Sequence, residues 1–158
     1  MVSAPFPAAR RDSESKARLR LWIRLLRATR TIEGKTRERF KTEFNVTLPR
    51  FDVMAALFRR PDGMLMSEIS RFLLVSNGNV TGIVDRLEAD GFVVRSQRDG
   101  DRRTSFVSLT TKGRTAFADM SAAHEGWIDK LLGGVTAREA EQLSAKLKAF
   151  RSEWEAEA

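Results

Sequence analysis

The chain has 158 residues, of which 42% are hydrophobic and 31% charged, a composition typical of one globular domain with a core of its own. It contains no cysteine and a single histidine, His124, which excludes disulfides and thiolate metal sites and leaves a histidine-rich metal site or a Ser/His triad almost without candidates. The formal net charge of +7 favours a polyanionic partner such as nucleic acid or an anionic membrane surface.

Residues 1–14 contain two prolines, Pro5 and Pro7, followed by mixed charge, so they are predicted to be a flexible tail. They lack the continuous apolar segment of a signal peptide, and no later stretch is long enough to cross a bilayer. We therefore expect a cytoplasmic protein without a membrane partner. The positive charge is concentrated in residues 1–60, which carry 15 Lys and Arg against 6 Asp and Glu.

The first predicted helix is long and amphipathic, running from Ser15 to about Lys41. Its apolar residues recur three and four positions apart, so this face needs a partner: Leu19, Trp22, Ile23 and Leu26. A second helix is predicted from about Arg50, ending where Pro61-Asp62-Gly63 predicts a turn.

Two short helices are predicted next. Residues 63–66 are too few for more than one edge strand, and Ser67 is predicted to cap a third helix. Beyond a break at residues 75–77, a fourth helix with one apolar and one polar face is predicted up to Asp90-Gly91, its apolar face formed by Val80, Ile83, Val84 and Leu87.

The remaining predicted elements are a β-hairpin and two helices. Residues 92–96 and 105–109 are β-branched and aromatic runs that predict a hairpin with a charged tip. A long helix follows from Thr110 or Thr111 to about Leu132, and Thr136 with Glu139 forms a capping box for the last helix. This order predicts a mainly α protein with a small β-hairpin (α+β), a winged helix-turn-helix flanked by long helices.

The fourth helix is the candidate DNA-reading element, because its back is apolar and its front is small and polar. For each residue alone, a role in a turn or a cap is the alternative; as a set on one face before a basic hairpin, they favour DNA contact. The residues concerned are Ser76, Asn77, Gly78, Asn79, Thr81, Gly82 and Arg86.

The hairpin tip is a candidate minor-groove contact. Arg98, Arg102 and Arg103 lie there beside Asp99 and Asp101, for a local charge of only +1, which a solvated loop could also carry. An arginine held by a neighbouring acid suits a narrow minor groove, and Arg103 with Asp101 is the favoured pair. Asp85 on the fourth helix is a candidate anchor for the wing.

The stretch from Met66 to Gly113 resembles the MarR family of bacterial regulators. An Asp-Arg-Leu-Glu segment and a following glycine match residues 85–88 and Gly91, and the wing pattern Asp-x-Arg then Leu-Thr-x-x-Gly matches Asp101, Arg103, Leu109, Thr110 and Gly113. The resemblance implies a homodimer that binds double-stranded DNA at an inverted-repeat operator, usually as a repressor released by a small aromatic or anionic compound. We expect the protein to need no cofactor and no metal.

A division of the chain follows, with residues 15–48 and 114–158 as the helical dimerisation region and residues 49–113 as the winged helix-turn-helix. The last helix carries an apolar seam that independently supports a dimer: Leu143, Leu147, Phe150 and Trp154. Packing of this seam against the first helix of the same chain is the alternative.

The effector pocket of the family lies between the dimerisation helices and the winged domain. The matching residues, for which ordinary core packing is the alternative, are Trp22, Leu26, Phe51, Met54, Phe58, Phe117 and His124. Arg20, Arg24 and Arg27 form one stripe of the first helix, either a solvated face or a binding face for a carboxylate or the phosphates of an acyl-CoA. Segments 48–52 and 76–82 resemble a branch of the family that responds to aromatic acids or hydroxycinnamoyl-CoA thioesters.

Two other classes of function remain as alternatives. A nonspecific architectural DNA-binding protein would explain the basic charge alone, and it would bind random and operator DNA equally well. A small hydrolase using His124 and a carboxylate is disfavoured, since the chain has no paired-carboxylate, phosphate-loop or metal-ligand spacing.

Overall fold

A computed structural model describes residues 7–73, 77–97 and 105–156 of the chain. Within these ranges the chain forms six helices and three strands. In chain order they are α1 (Pro7–Phe44), α2 (Leu48–Phe58), β1 (Met64–Leu65), α3 (Met66–Leu73), α4 (Asn77–Ala89), β2 (Val93–Gln97), β3 (Ser105–Leu109), α5 (Thr111–Leu131) and α6 (Ala137–Ala156). This architecture confirms the predicted fold class. No helix in the described ranges is long and apolar enough to cross a membrane.

The first helix begins earlier and ends later than predicted. It begins at Pro7 rather than Ser15, because proline is tolerated in the first helical turn, where its missing N–H has no intrahelical partner. It ends at Phe44, and the next residue, Asn45, adopts a left-handed backbone with φ of 53° while the Val46 N–H donates to the Phe40 carbonyl at 3.1 Å. Asparagine is one of the few residues that adopt this conformation readily.

Two helix starts also differ from the prediction. α2 begins at Leu48, two residues before Arg50, with Pro49 in its first turn. α3 begins at Met66, so Ser67 lies inside the helix and the prediction that it is the cap is wrong. The N-terminal backbone is satisfied instead by Glu68, whose carboxylate accepts a hydrogen bond from the Leu65 N–H at 2.8 Å.

The three strands form one antiparallel sheet in the order β1-β3-β2, so the predicted edge strand and hairpin are both present. In the hairpin, Val93 pairs with Leu109 and Gln97 pairs with Ser105. β1 adds Met64 opposite Val107 on the other side of β3. Val93, Val107 and Leu109 are buried on one face of the hairpin, whereas Val94 on the other face is exposed.

The chain divides into two compact units, residues 1–121 and residues 122–158. In the first unit, α2, α3 and α4 pack on one another, and α2 and α4 also contact the sheet. The fully buried side chains of this core include Phe40, Met54, Leu57, Ile69, Val80, Val84, Leu87, Val107 and Met120. The second unit contains the end of α5 and all of α6, and Trp127 is its buried aromatic residue.

Candidate nucleic-acid interface

Helix α4 has the two faces that its sequence predicts. Val80, Val84 and Leu87 have no exposed surface, because they recur every three or four residues on the side that meets α2 and α3. The opposite side is exposed and polar. One rigid face therefore holds the helix while the other is open to a partner.

The two glycines near the start of α4 leave space in front of the helix. A Cβ built on Gly78 or on Gly82 meets no atom within 4 Å, so packing inside the chain does not require a glycine at either position. Asn79 and Thr81 are exposed on the same first turns. Small residues here permit close approach by a second molecule, as entry into a major groove requires.

The end of α4 is joined tightly to the wing and to α5. Gly91 has φ of 75°, and the Phe92 N–H donates to the Leu87 carbonyl at 2.9 Å, which ends the helix in a Schellman motif. The Thr110 hydroxyl donates to the Gly91 carbonyl at 2.7 Å and accepts the Gly113 N–H at 3.0 Å. These hydrogen bonds explain the threonine of the Leu-Thr-x-x-Gly pattern, since its hydroxyl joins the end of α4 to the start of α5.

Arg95 connects the wing strand β2 to α4. One guanidinium nitrogen lies 2.5 Å from the Asp85 carboxylate, and the other pairs with Glu88. The hydrogen bond to Asp85 raises the pKa of Arg95, although burial of the side chain opposes that effect. Asp85, predicted as a wing anchor, thus contacts the wing through Arg95, whose role was not predicted from the sequence. Two acids at i and i+3 of a helix, followed by an arginine in the next strand, were the available signal.

A second set of polar contacts holds the turn after α4. The Arg50 guanidinium at the start of α2 forms an ion pair with the Asp90 carboxylate. The Lys112 ammonium donates to the Asp90 carbonyl at 2.7 Å and lies 5.1 Å from the centre of the Phe92 ring. The turn is therefore fixed from α2 on one side and from α5 on the other.

Several predicted DNA contacts, and Asp101 as a predicted support of the wing, lie outside the described residues. These are Ser76 before α4 and, at the hairpin tip, Arg98, Asp101, Arg102 and Arg103. Asn77 is the first residue of α4, but its side chain is not described. The structure does place Gly78, Asn79, Thr81, Gly82 and Arg86 on α4, all exposed.

The residues predicted to line an effector pocket fall into different environments. Within the first unit, the Phe117 ring stacks on that of Phe51 at a centroid distance of 5.4 Å and lies 4.8 Å from that of Phe58. Phe51, Met54 and Phe117 are buried and belong to the core, whereas Phe58 keeps 42% of its surface exposed. On α1, Leu26 is half-buried, whereas Arg20, Trp22, Arg24 and Arg27 are exposed.

His124 belongs to the second unit, where its ring lies 6.4 Å from that of Trp127 in an edge-on arrangement. Burial lowers its pKa from the ordinary value of 6.5. In the described ranges, no group of three or more His, Asp or Glu side chains could hold a metal ion.

The apolar seam predicted for the last helix is exposed along α6. Leu143, Leu147 and Phe150 have 55%, 49% and 39% of their surface accessible, while the side chain of Trp154 lies outside the described part. The capping box that starts α6 is present, with the Glu139 carboxylate accepting the Thr136 N–H at 2.9 Å and the Thr136 hydroxyl at 2.7 Å. These hydrogen bonds from Thr136 lower the pKa of Glu139.

Comparisons with known proteins agree with this architecture. The sequence model of the MarR family matches residues 46–105. The chain is 33% identical over 138 residues to the HTH-type transcriptional regulator YkoM of Bacillus subtilis, an alignment that covers 87% of this chain and 88% of YkoM.

Solved structures show the same fold. A MarR family transcriptional regulator from Silicibacter pomeroyi is 34% identical, with a TM-score of 0.75 over 89% of this chain and 97% of that one. The DNA complex of Staphylococcus aureus MepR has a TM-score of 0.70 at 19% identity, covering 84% of this chain and 96% of MepR. The relatives are transcriptional regulators, which confirms the prediction that the chain is not an enzyme.

Proposed function

Because this chain belongs to the MarR family of transcriptional regulators, we propose that it acts as a homodimeric repressor that leaves an inverted-repeat operator when a small effector binds. DNA binding and transcriptional regulation follow from the family itself. The homodimer, the operator symmetry, the sign of regulation and the effector are the proposed parts.

We assign sequence reading to the exposed face of α4. The observation that carries this proposal is a rigid helix whose buried back is Val80, Val84 and Leu87, and whose front exposes Asn79 and an unobstructed Gly82. Helices of this kind enter the major groove with their N-terminal residues at the base edges. The remaining proposed contacts of this helix are Ser76, Asn77, Gly78, Thr81 and Arg86.

We assign minor-groove contact to the hairpin tip, with Arg103 as the inserted residue and Asp101 beside it. Support comes from the strands that carry the tip, since Gln97 and Ser105 are directly paired at its base. Arg98 and Arg102 would add contacts to the DNA backbone.

The proposed dimer would use the apolar side chains of α6 that stay exposed in the single chain. Two-fold symmetry would then present two α4 helices to successive major grooves, about 34–36 Å apart. An inverted-repeat operator follows from that symmetry.

The proposed effector is an aromatic acid or its CoA thioester. The exposed guanidinium groups of Arg20, Arg24 and Arg27 would hold its carboxylate or phosphates, and Trp22 is the exposed aromatic residue beside them on α1. Phe51 and Phe117 contribute less to this proposal, because they are buried and already pack against each other.

A gel-shift titration tests the proposal, using DNA upstream of the protein's own gene with excess random competitor and a panel of aromatic acids and their CoA esters. We expect binding to the operator that is roughly a thousandfold tighter than to random DNA, and release by one compound. The Arg103→Ala variant should bind several-fold more weakly. Equal competition by random DNA would favour a nonspecific architectural protein instead.

A further inference from the structure

A polar cavity of about 530 Å³ lies beside helix α4 in the first unit. Lys41 and Asn45 at the end of α1 form one wall together with Thr47 at the start of α2. The other wall belongs to α4. None of these three residues was predicted to contact DNA.

The α4 wall consists of the exposed helix face described above, with Asn79, Gly82 and Arg86. The cavity thus shares residues with the proposed DNA-reading surface. Anything bound in it would contact that surface as well.

The lining carries excess positive charge. Three cations, Lys41, Arg50 and Arg86, face one carboxylate, Asp90, which is already paired with Arg50. Three positive charges and one negative leave a net charge of +2. A cavity with this balance favours an anion.

The Lys41 and Thr47 side chains of the lining are exposed, so their donors are open to a ligand, whereas the Arg50 Nε is covered. The Nε of Arg50 is buried and has no hydrogen-bond partner among the described residues. The Thr47 side chain makes no capping hydrogen bond to α2. The Lys41 ammonium has three protons and donates to the Asn45 side-chain oxygen at 2.9 Å.

The lining chemistry decides between kinds of anion. Ile83 is the one apolar side chain of the lining, and no lining residue is aromatic. Pockets for small aromatic ligands, in contrast, are mostly apolar. A helix in the major groove has sugar-phosphate backbone on both of its flanks. An oxyanion at this position therefore has an obvious source in the DNA itself.

We propose that the cavity binds a phosphate of the DNA backbone, with Lys41 and Thr47 as donors and with Arg50 and Arg86 adding positive charge to the lining. The proposal rests on the DNA-binding function above and adds α1 and α2 to the DNA-contacting elements. Contact with phosphate positions the protein without reading sequence. Loss of a donor should accordingly weaken binding to operator and random duplex by the same factor.

The test compares Lys41→Gln with Lys35→Gln, an exposed lysine on α1 outside the cavity lining. The affinity for operator and random duplexes is measured across a series of salt concentrations. Because a dimer loses two phosphate contacts, Lys41→Gln should lower the slope of log affinity against log salt by about 1.8 and the affinity roughly tenfold on both duplexes. Lys35→Gln should leave both values close to those of the wild type.

A second variant controls for the possibility that Lys41→Gln misfolds. Thr47→Ala removes a hydroxyl and no charge, so the salt slope should stay unchanged while affinity for both duplexes falls several-fold. Wild-type affinity and slope in both cavity variants would overturn the proposal. A loss confined to the operator would also overturn it, since it would indicate base contact.

Inorganic phosphate at constant ionic strength distinguishes a free anion from DNA. If the Lys41→Gln protein binds DNA normally but loses the amide NMR shifts that phosphate induces around α2, the source is a free anion and the DNA assignment is wrong. If the wild type does not prefer its operator, the proposed regulator function fails. In that case, the salt dependence of binding to random duplex, compared between Lys41→Gln and the wild type, still shows whether the cavity contacts phosphate.

Discussion

Gly113 shows how one missing side chain can set the geometry of a turn. A Cβ at this position would lie 2.0 Å from the Phe92 carbonyl oxygen, a distance that no side chain can occupy. The same carbonyl accepts the Thr110 N–H at 3.0 Å, and the Thr110 hydroxyl holds the Gly113 N–H. The sequence pattern marks this glycine, while its reason is the approach of two segments about twenty residues apart.

We expect Gly113→Ala to lower the free energy of unfolding by about 1–3 kcal/mol, because backbone must move to admit the methyl group. Urea denaturation measures the change. Gly126→Ala on the same helix is the matched control: nothing lies within 4 Å of its Cβ, so helix propensity should stabilise that variant by up to about 1 kcal/mol. Equal stability of the Gly113→Ala protein and the wild type would refute this account.

His124 makes stability depend on pH in a defined direction. Burial lowers its pKa in the folded state below 6.5, so the unfolded chain binds the proton more tightly. The stability contributed by the neutral ring is therefore present above about pH 6.5 and is lost as the pH falls below it. Urea midpoints at about pH 7.5 and pH 5.5 should differ more for the wild type than for His124→Asn. Identical differences in the two proteins would contradict the prediction.

At the scale of elements, α4 and the wing strand β2 form one structural unit because side chains join them. Helix periodicity predicts α4, and alternation predicts β2 and β3, since both signals are local. The joint between them depends on Arg95, whose two acidic partners precede it by 10 and 7 residues across the Gly91 turn. Periodicity alone does not pair those charges.

Replacement of Arg95 by Met should weaken operator binding several-fold, because Asp85 and Glu88 would then present unneutralised carboxylates near the DNA phosphates. Stability should change by less than about 1 kcal/mol, since the ion pairs are partly exposed. Fluorescence anisotropy and urea denaturation give the two quantities. Arg59→Met removes the same charge from an exposed position and should bind the operator nearly as tightly as the wild type. The double variant Arg95→Met with Asp85→Asn should recover part of the lost affinity. Wild-type affinity in Arg95→Met would exclude this role.

At the scale of the whole molecule, large apolar side chains remain exposed in the two terminal helices. On α1 these include Leu19 and Trp22, with 56% and 58% of their surface accessible, and on α6 they are Leu143, Leu147 and Phe150. Exposed apolar side chains that recur along one helix, as on α6, are typical of an interface between chains. The seam was predicted from spacing, but spacing cannot tell a partner chain from the chain's own core.

The proposed dimer predicts that Leu147→Glu yields a monomer and, with it, much weaker operator binding, because high affinity needs both half-sites. Sedimentation equilibrium measures the mass in solution. Ala145→Glu places the same charge on the opposite, exposed side of α6 and should remain a dimer. If Leu147→Glu also remains a dimer, the interface lies elsewhere on the molecule.

The sequence by itself determined the order and type of the elements, the polar face of α4 and the family, because periodicity, caps and turn residues act over a few positions. Tertiary structure alone decided which distant residues meet. It pairs Arg50 with Asp90 across 40 residues, packs Phe51 against Phe117 as core, and opens a basic cavity beside α4. These contacts depend on how whole elements pack, and packing brings together side chains that no local pattern relates.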